Sequence, residues 1–294
     1  MTDLITRVGI VAKTRLAEAA GVIAELAGWL DARRLRAVFD TETAALVGLP
    51  PGRPTYSRED LPLHCDLLVL LGGDGTLIGM AGRTAAAGVD IPILGVNFGS
   101  LGFLTEITLP ELYDSLEAVL DGTAQIEPRL MLRSRTMRAG GVFADRLALN
   151  DIVITKGALS RIIDLAVSIG DQPAMHLRAD GLIVASPTGS TAYNLAAGGP
   201  IVHPAVDAIL LTPIAPHMLT NRPIVVPAAS VIRVKPAAGS SNDELFVTLD
   251  GQSGHPLNAD DEIVIERAAP VRLVRASTRT YFDVLRQKLK WSER

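Results

Sequence analysis

The chain has a single cysteine, Cys65, among 294 residues, so no disulfide staples it. Aromatic residues make up only 4%, which removes the stacking platforms that hold single-stranded nucleic acid. Positive charge is not in excess. The 28 Lys and Arg against 32 Asp and Glu leave a net charge of -4, whereas a nucleic-acid partner calls for a basic stripe. No stretch approaches the roughly 18 apolar residues of a membrane span, and Met1-Thr2-Asp3-Leu4-Ile5-Thr6-Arg7 lacks the basic flank and apolar core of a signal peptide. These absences predict a cytoplasmic protein with neither nucleic-acid nor membrane partners. Small anionic ligands stay open.

What is present is a chain with 48% hydrophobic residues, long enough to bury most of its apolar surface as one large or two ordinary domains. The first part alternates strand-like and helix-like segments, the pattern of an α/β domain with a parallel sheet. Arg7–Ala12 reads as a strand, Arg15–Leu30 as a helix, and Asp66–Leu71 and Ile91–Val96 as strands buried on both faces. An alanine-rich helix is expected between Thr76 and Ala87. Thr108 and Glu111 have capping-box spacing and open a helix to about Leu120, closed by Gly122. After Glu127-Pro128 the segments become short and alternating. An all-β, sandwich-like domain is expected over 128–275, with strands near 162–169, 174–177, 182–185, 224–226, 231–234, 246–249 and 262–266. Helical spacing returns at 279–291, so 276–294 is expected to rejoin 1–127.

Gly72-Gly73-Asp74-Gly75-Thr76 follows a buried strand and precedes a helix, where ligands bind in parallel sheets. Glycines there admit phosphate oxygens to backbone amides and to the positive end of the helix. A carboxylate in such a loop repels phosphate unless a metal ion or a hydroxyl stands between them, and an acid facing a hydroxyl beside a phosphate is placed for phosphoryl transfer. The segment matches neither the Walker loop nor G-x-G-x-x-G. The bland alternative is a tight turn in which Asp74 caps the helix.

A second signature runs from Ala179 to Pro200, ADGLIVASPTGSTAYNLAAGGP. Its small residues allow close approach to a flat ligand, and Thr188, Ser190, Thr191 and Tyr193 offer hydrogen bonds and a ring. Asn150-Asp151 sets an amide beside a carboxylate, suited to vicinal hydroxyls or to an ordinary Asx turn. Ser186 and Ser190 lack a nucleophile elbow. His64, His176, His203, His217 and His255 lack ligand spacing, so no protein-only metal site is expected, and Cys65 reads as a buried structural thiol. Trp29 and Trp291 read as core or interface anchors.

On these three elements, in this order and spacing, the chain resembles the NAD kinase family, enzymes that use ATP to phosphorylate the 2′-hydroxyl of the adenosine ribose of NAD. The GGDG element alone is shared with lipid kinases and phosphofructokinases. The resemblance implies a site between an α/β and a β-rich domain, Mg2+ carried with ATP, and a homodimer or homotetramer. It implies that Asp74 faces the hydroxyl as general base, with Gly72, Gly73, Gly75 and Thr76 at the donor phosphates. Asn150 and Asp151 would hold the ribose, although many members carry Glu where Asp151 stands. Thr188, Thr191, Ala192 and Tyr193 would line the adenine, Asn194, Leu195 and Ala196 would also bind NAD, and Asp180 would meet the nicotinamide end. Arg161, Arg178 and Gln252 would lie near the dinucleotide, and Arg178 resembles members restricted to nucleoside triphosphates. Two alternatives are another GGDG-type small-molecule or lipid kinase and a non-catalytic NADP-binding sensor. The sensor has no use for an acid beside phosphate.

Overall fold

The computed structural model describes residues 5–13, 19–48, 52–99, 101–157, 162–218, 220–237, 245–275 and 279–291. Arg161 lies outside them, as does the start of the helix expected from Arg15. The chain divides into two compact units, Met1–Pro128 with Val271–Arg294, and Arg129–Pro270.

The first unit contains β1 (Arg7–Ala12), α1 (Ala19–Ala32), β2 (Arg36–Asp40), α2 (Thr41–Val47), β3 (Thr55–Tyr56), β4 (Leu67–Gly72), α3 (Asp74–Ala86), β5 (Pro92–Asn97), β6 (Ile107–Thr108) and α4 (Leu112–Leu120). Its strands pair in parallel in the order β5-β4-β1-β2-β3. Every residue of β4 and β5 is buried, as continuous Leu, Ile and Val runs demand when both faces of a sheet are covered. Each such Leu or Ile contributes roughly 1.5–3 kcal/mol by leaving water. Ile23, Leu26 and Leu30 of α1 and Leu112, Leu116 and Val119 of α4, at helical spacing, supply the cover.

The register of this sheet prepares the first half of the site. Gly72, the last residue of β4, lies opposite Asn97, the last residue of β5. The segments that leave the two strands therefore start side by side on the carboxyl rim.

The second unit comprises β7 (Ile126–Arg138, beginning three residues inside the first unit), β8 (Gly141–Ala148), β9 (Asp151–Lys156), β10 (Ile163–Ile169), β11 (Gln172–Ala179), β12 (Gly181–Ala185), the single turn α5 (Tyr193–Ala196), β13 (Ala208–Ile214), β14 (Ile224–Pro227), β15 (Ile232–Pro236), β16 (Leu245–Leu249), β17 (Ser253–Leu257) and the long β18 (Glu262–Val274). One antiparallel sheet runs β14-β13-β12-β9-β16-β17, and β11-β10-β15-β18 form another antiparallel run. Leu182 and Val184 from the first and Leu165, Val167 and Val234 from the second share one core, so this is a sandwich. Ala185 pairs with Asp151, and Leu249 with Ile152, which gathers the end of β12, the start of β9 and the end of β16 on one rim.

The end of β18 belongs to the first unit, where Arg272 and Leu273 pair in parallel with Pro92 and Ile93. There follows α6 (Tyr281–Leu289), opened by a capping box in which the Thr280 hydroxyl accepts from the Asp283 amide. Thr108 and Glu111 also form a capping box, but it opens the 3-10 turn Leu109–Glu111 ahead of α4. Trp29 packs against Tyr113 with ring centroids 5.4 Å apart, whereas Trp291 is exposed and so is not a core anchor. Cys65 is buried, and burial pushes its thiol up to about 12.

Candidate functional site

The glycine segment differs from the loop expected of it. The helix begins at Asp74 itself, so Asp74, Gly75 and Thr76 form its first turn, with Gly73 as the N-cap. An acid at the first position of a 13-residue helix is favoured by the helix dipole. Gly72 belongs to β4 and is buried. A Cβ there would stand 2.7 Å from Thr76 Oγ1 and 3.2 Å from the Lys13 Cβ. Its lack of a side chain serves packing, which leaves Gly73 and Gly75, both open on that side, as the glycines a phosphate could approach.

Asp74 does not cap its helix. Its carboxylate turns to the segment that leaves β5, where Asp74 Oδ2 accepts from the Phe103 amide at 2.9 Å. Its Oδ1 accepts from the Leu104 and Thr105 amides at 3.2 and 2.9 Å and from Thr105 Oγ1 at 2.8 Å. Three donors saturate Oδ1, while among the described residues Oδ2 meets one donor, fewer than a carboxylate oxygen can accept. Gly102 makes the fit possible, since a Cβ there would stand 2.0 Å from Asp74 Oδ1. Asn97 holds the same segment, donating to the Thr105 carbonyl at 3.3 Å and accepting from the Gly99 amide at 2.6 Å. Behind it, Glu106 is buried against Arg275 with N···O 2.8 Å, and Arg279 donates to the Glu106 carbonyl at 2.7 Å. None of Asn97, Gly102, Phe103, Leu104 or Thr105 was expected from the sequence. The two glycines after a buried strand were the available signal.

In the second unit the structure brings Asn150 and Asp151 together with the segment after β12 and with Asp250. The Asp250 carboxylate accepts from the Leu149, Asn150 and Asp151 amides at 2.8, 2.7 and 3.0 Å. Ser186 Oγ donates to the Leu149 carbonyl, and the Ser186 amide to the Asn150 carbonyl at 2.8 Å. Asp151 is buried, and burial, with the charge of Asp250 behind it, pushes its carboxyl up to about 7. Burial also lifts Asp250, against the smaller pull of its three amide donors.

Gly189 lies directly on Asn150: a Cβ there would stand 2.1 Å from the Asn150 carbonyl oxygen and 2.5 Å from its carbon. Both are backbone atoms, so relief requires the Asn150 segment to move. Gly189→Ala is expected to destabilise the protein by about 1–3 kcal/mol. Thermal unfolding checks it, and an unshifted midpoint would show that the Asn150 segment yields without cost.

The remaining expected residues divide by burial. Tyr193 is 44% exposed and Thr191 half-buried, both open to a ligand. Thr188 is buried, with its hydroxyl unpartnered among the described residues. Asn194 is a correction for its side chain. That amide is fully buried, donates to the Ser190 and Pro200 carbonyls at 3.0 Å each, and accepts from Thr212 Oγ1 at 2.6 Å. It ties the segment down from inside. Ala192, Leu195 and Ala196 complete the turn around α5 and are part-exposed or exposed. Asp180 pairs with Lys156 at 2.7 Å, and Arg178 is exposed with Asp164 at 3.5 Å. Gln252 is exposed in the turn after Asp250, its amide bonded to the Leu249 carbonyl.

Comparison with known proteins agrees with both halves. The family model of the ATP-NAD kinase N-terminal domain matches residues 8–124, and that of the ATP-NAD kinase C-terminal domain matches residues 149–275. The chain is 46% identical over 289 residues to an NAD kinase of Geotalea daltonii and 47% identical over 289 residues to one of Geobacter sulfurreducens, in each case covering 98% of this chain and 99% of the relative. Among solved structures, yeast NADH kinase complexed with NADH superposes with a TM-score of 0.90 at 27% identity, covering 99% of this chain and 89% of that one. An NAD kinase from Archaeoglobus fulgidus in complex with ATP gives 0.73 at 25% identity, covering 97% and 98%. With a half-buried acid on the sheet rim, an amide-acid pair in the sandwich and this likeness along nearly its whole length, the chain belongs to the NAD kinase family.

Proposed function

We infer that this chain is a phosphotransferase that uses ATP to phosphorylate NAD, at the 2′-hydroxyl of the adenosine ribose. The observation that carries the reading is Asp74, held by four donors, only one of which meets Oδ2 among the described residues. Four bonds fix the carboxylate before substrate arrives, which is the preorganisation that positioning catalysis requires. In the proposed step Asp74 Oδ2 accepts the proton of the 2′-hydroxyl as that oxygen bonds to the γ-phosphorus. The bond from the γ-phosphorus to the ADP oxygen breaks, giving NADP and ADP.

The roles of the other residues follow from their surroundings. The first turn of α3, with Gly73, Gly75 and Thr76, takes the donor phosphates. Asn150 and Asp151 hold the ribose. Thr188, Thr191, Ala192 and Tyr193 receive the adenine, with Leu195 and Ala196 beside them. Asp180 meets the nicotinamide end, and Arg161, Arg178 and Gln252 lie along the dinucleotide. The ATP phosphates carry a divalent ion, Mg2+ in our reading. When bound, that ion neutralises charge on the transferring phosphoryl group. The resemblance also supports a homodimer or homotetramer, measurable by light scattering.

Incubation of the purified chain with NAD and MgATP, read out by an NADP-specific dehydrogenase, is expected to give NADP. Phosphorylation of a lipid or sugar instead of NAD, or NADP binding without turnover, would replace this reading by one of the two alternatives.

A further inference from the structure

Asp250 stands at the end of β16 in a turn, with φ +53°, a left-handed conformation that L-residues other than asparagine and aspartate rarely adopt. Glycine follows it, at φ +64°. A turn by itself would be easier with glycine at both positions. The carboxylate gives the acid its purpose. It reaches back 99–101 positions in sequence to accept the amides of three successive residues, Leu149, Asn150 and Asp151, while its own amide donates to the Asp151 carbonyl at 2.9 Å. Three consecutive amides aimed at one point form an anion nest, and here the nest is filled by the protein's own acid.

The opposite side of the segment is fixed as firmly. The Leu149 and Asn150 carbonyls are held by Ser186, and Gly189 packs on the Asn150 backbone. The main chain at Asn150-Asp151 is thus gripped from both sides, and only the grip from Asp250 depends on a charge. We propose that Asp250 is the positioning residue of the ribose pair: it fixes the backbone from which the Asn150 and Asp151 side chains present themselves, without touching substrate. The proposal rests on the reading that this pair holds the NAD ribose.

Asp250→Gly separates the two roles open to this residue. Glycine adopts the observed φ without strain, so a residue needed only for the turn would be replaced at no loss. Loss of the carboxylate leaves three amides without their acceptor, and KM for NAD is expected to rise about tenfold to a hundredfold while KM for ATP stays put. Formate added to Asp250→Gly can re-enter the vacated nest and is expected to lower KM for NAD toward the wild-type value, with no such effect on wild type. Asp250→Asn tolerates the same φ, keeps an accepting oxygen and presents an N–H to the remaining amides, so an intermediate KM is expected. It also serves as the measured variant should the glycine protein not fold, as judged by circular dichroism. Unchanged KM for NAD in the folded variant, or equal loss for NAD and ATP without formate rescue in the glycine protein, would overturn the assignment. Failure of wild type to phosphorylate NAD at all would instead remove the functional reading beneath it.

Discussion

Asp74→Asn is expected to fold normally and to lose about a hundredfold to ten-thousandfold in kcat, with smaller changes in KM for NAD and ATP. Asparagine matches the shape of aspartate, and its oxygen can keep the donors that meet Oδ1 from Leu104 and Thr105. Its amide would then stand where Oδ2 now accepts from Phe103, one donor facing another, and the acceptor capacity left on that oxygen would be gone. A second variant tests the same site without touching the acid. In Gly102→Ala the new methyl would occupy the place of Asp74 Oδ1 and crowd Thr105 Oγ1, only 2.5 Å from it. The carboxylate must leave its seat, so turnover is expected to fall in that variant even under conditions where it remains folded. Near-wild-type kcat in Asp74→Asn, with the fold intact by circular dichroism, would reject proton acceptance and orientation as the role of this residue.

Stability should fall as pH rises from about 4 to about 7, and Asp151 should be a main cause. A carboxylate whose folded pKa lies above its unfolded value behaves oppositely to one in an ion pair. Between the unfolded value near 3.9 and the folded value of about 7, the native state holds a proton that the unfolded chain has released. Raising pH through that window therefore favours unfolding, by up to about 4 kcal/mol in total, and above it the loss is constant. Asp151→Asn removes the titrating group. Denaturant melts of wild type and variant at a series of pH values should show the variant gaining relative stability from pH 5 to 7 and levelling off beyond. A difference independent of pH would mean that Asp151 is charged in the native protein throughout.

The parts of this architecture that could be read from residues alone are those whose causes are local. β1 was expected at its observed limits and β4 and β5 to within one residue, because strands covered on both faces are written as unbroken Val, Ile and Leu runs between turns. The Thr108 capping box was legible because its partners are three residues apart. By contrast, β2 and β13 went unread. Arg36–Asp40 is five residues with no glycine or proline to bound it, and Ala208–Ile214 begins with alanine and has a proline near its end. At the site, Asp74 could be read because a charge among glycines is anomalous. Its partners at 103–105 could not, since three of their four bonds come from main-chain amides, which every residue but proline carries. Asp250 was hidden for a related reason. An acid before glycine reads as a turn, and the amides it serves lie about a hundred positions earlier. Asn194, which the resemblance counts among the residues that bind NAD, has its carboxamide bonded inside the fold, to partners that its own sequence neighbours do not announce.

The way β18 ends makes the seat of Asp74 depend on residues about two hundred positions further along the chain. Val271–Arg294 add a strand beside β5, bring Arg275 to Glu106 and carry Arg279 to Glu111. Glu106 adjoins Thr105, whose amide and hydroxyl hold the acid, so a chain cleaved before Val271 would keep the whole glycine segment and lose the support behind it.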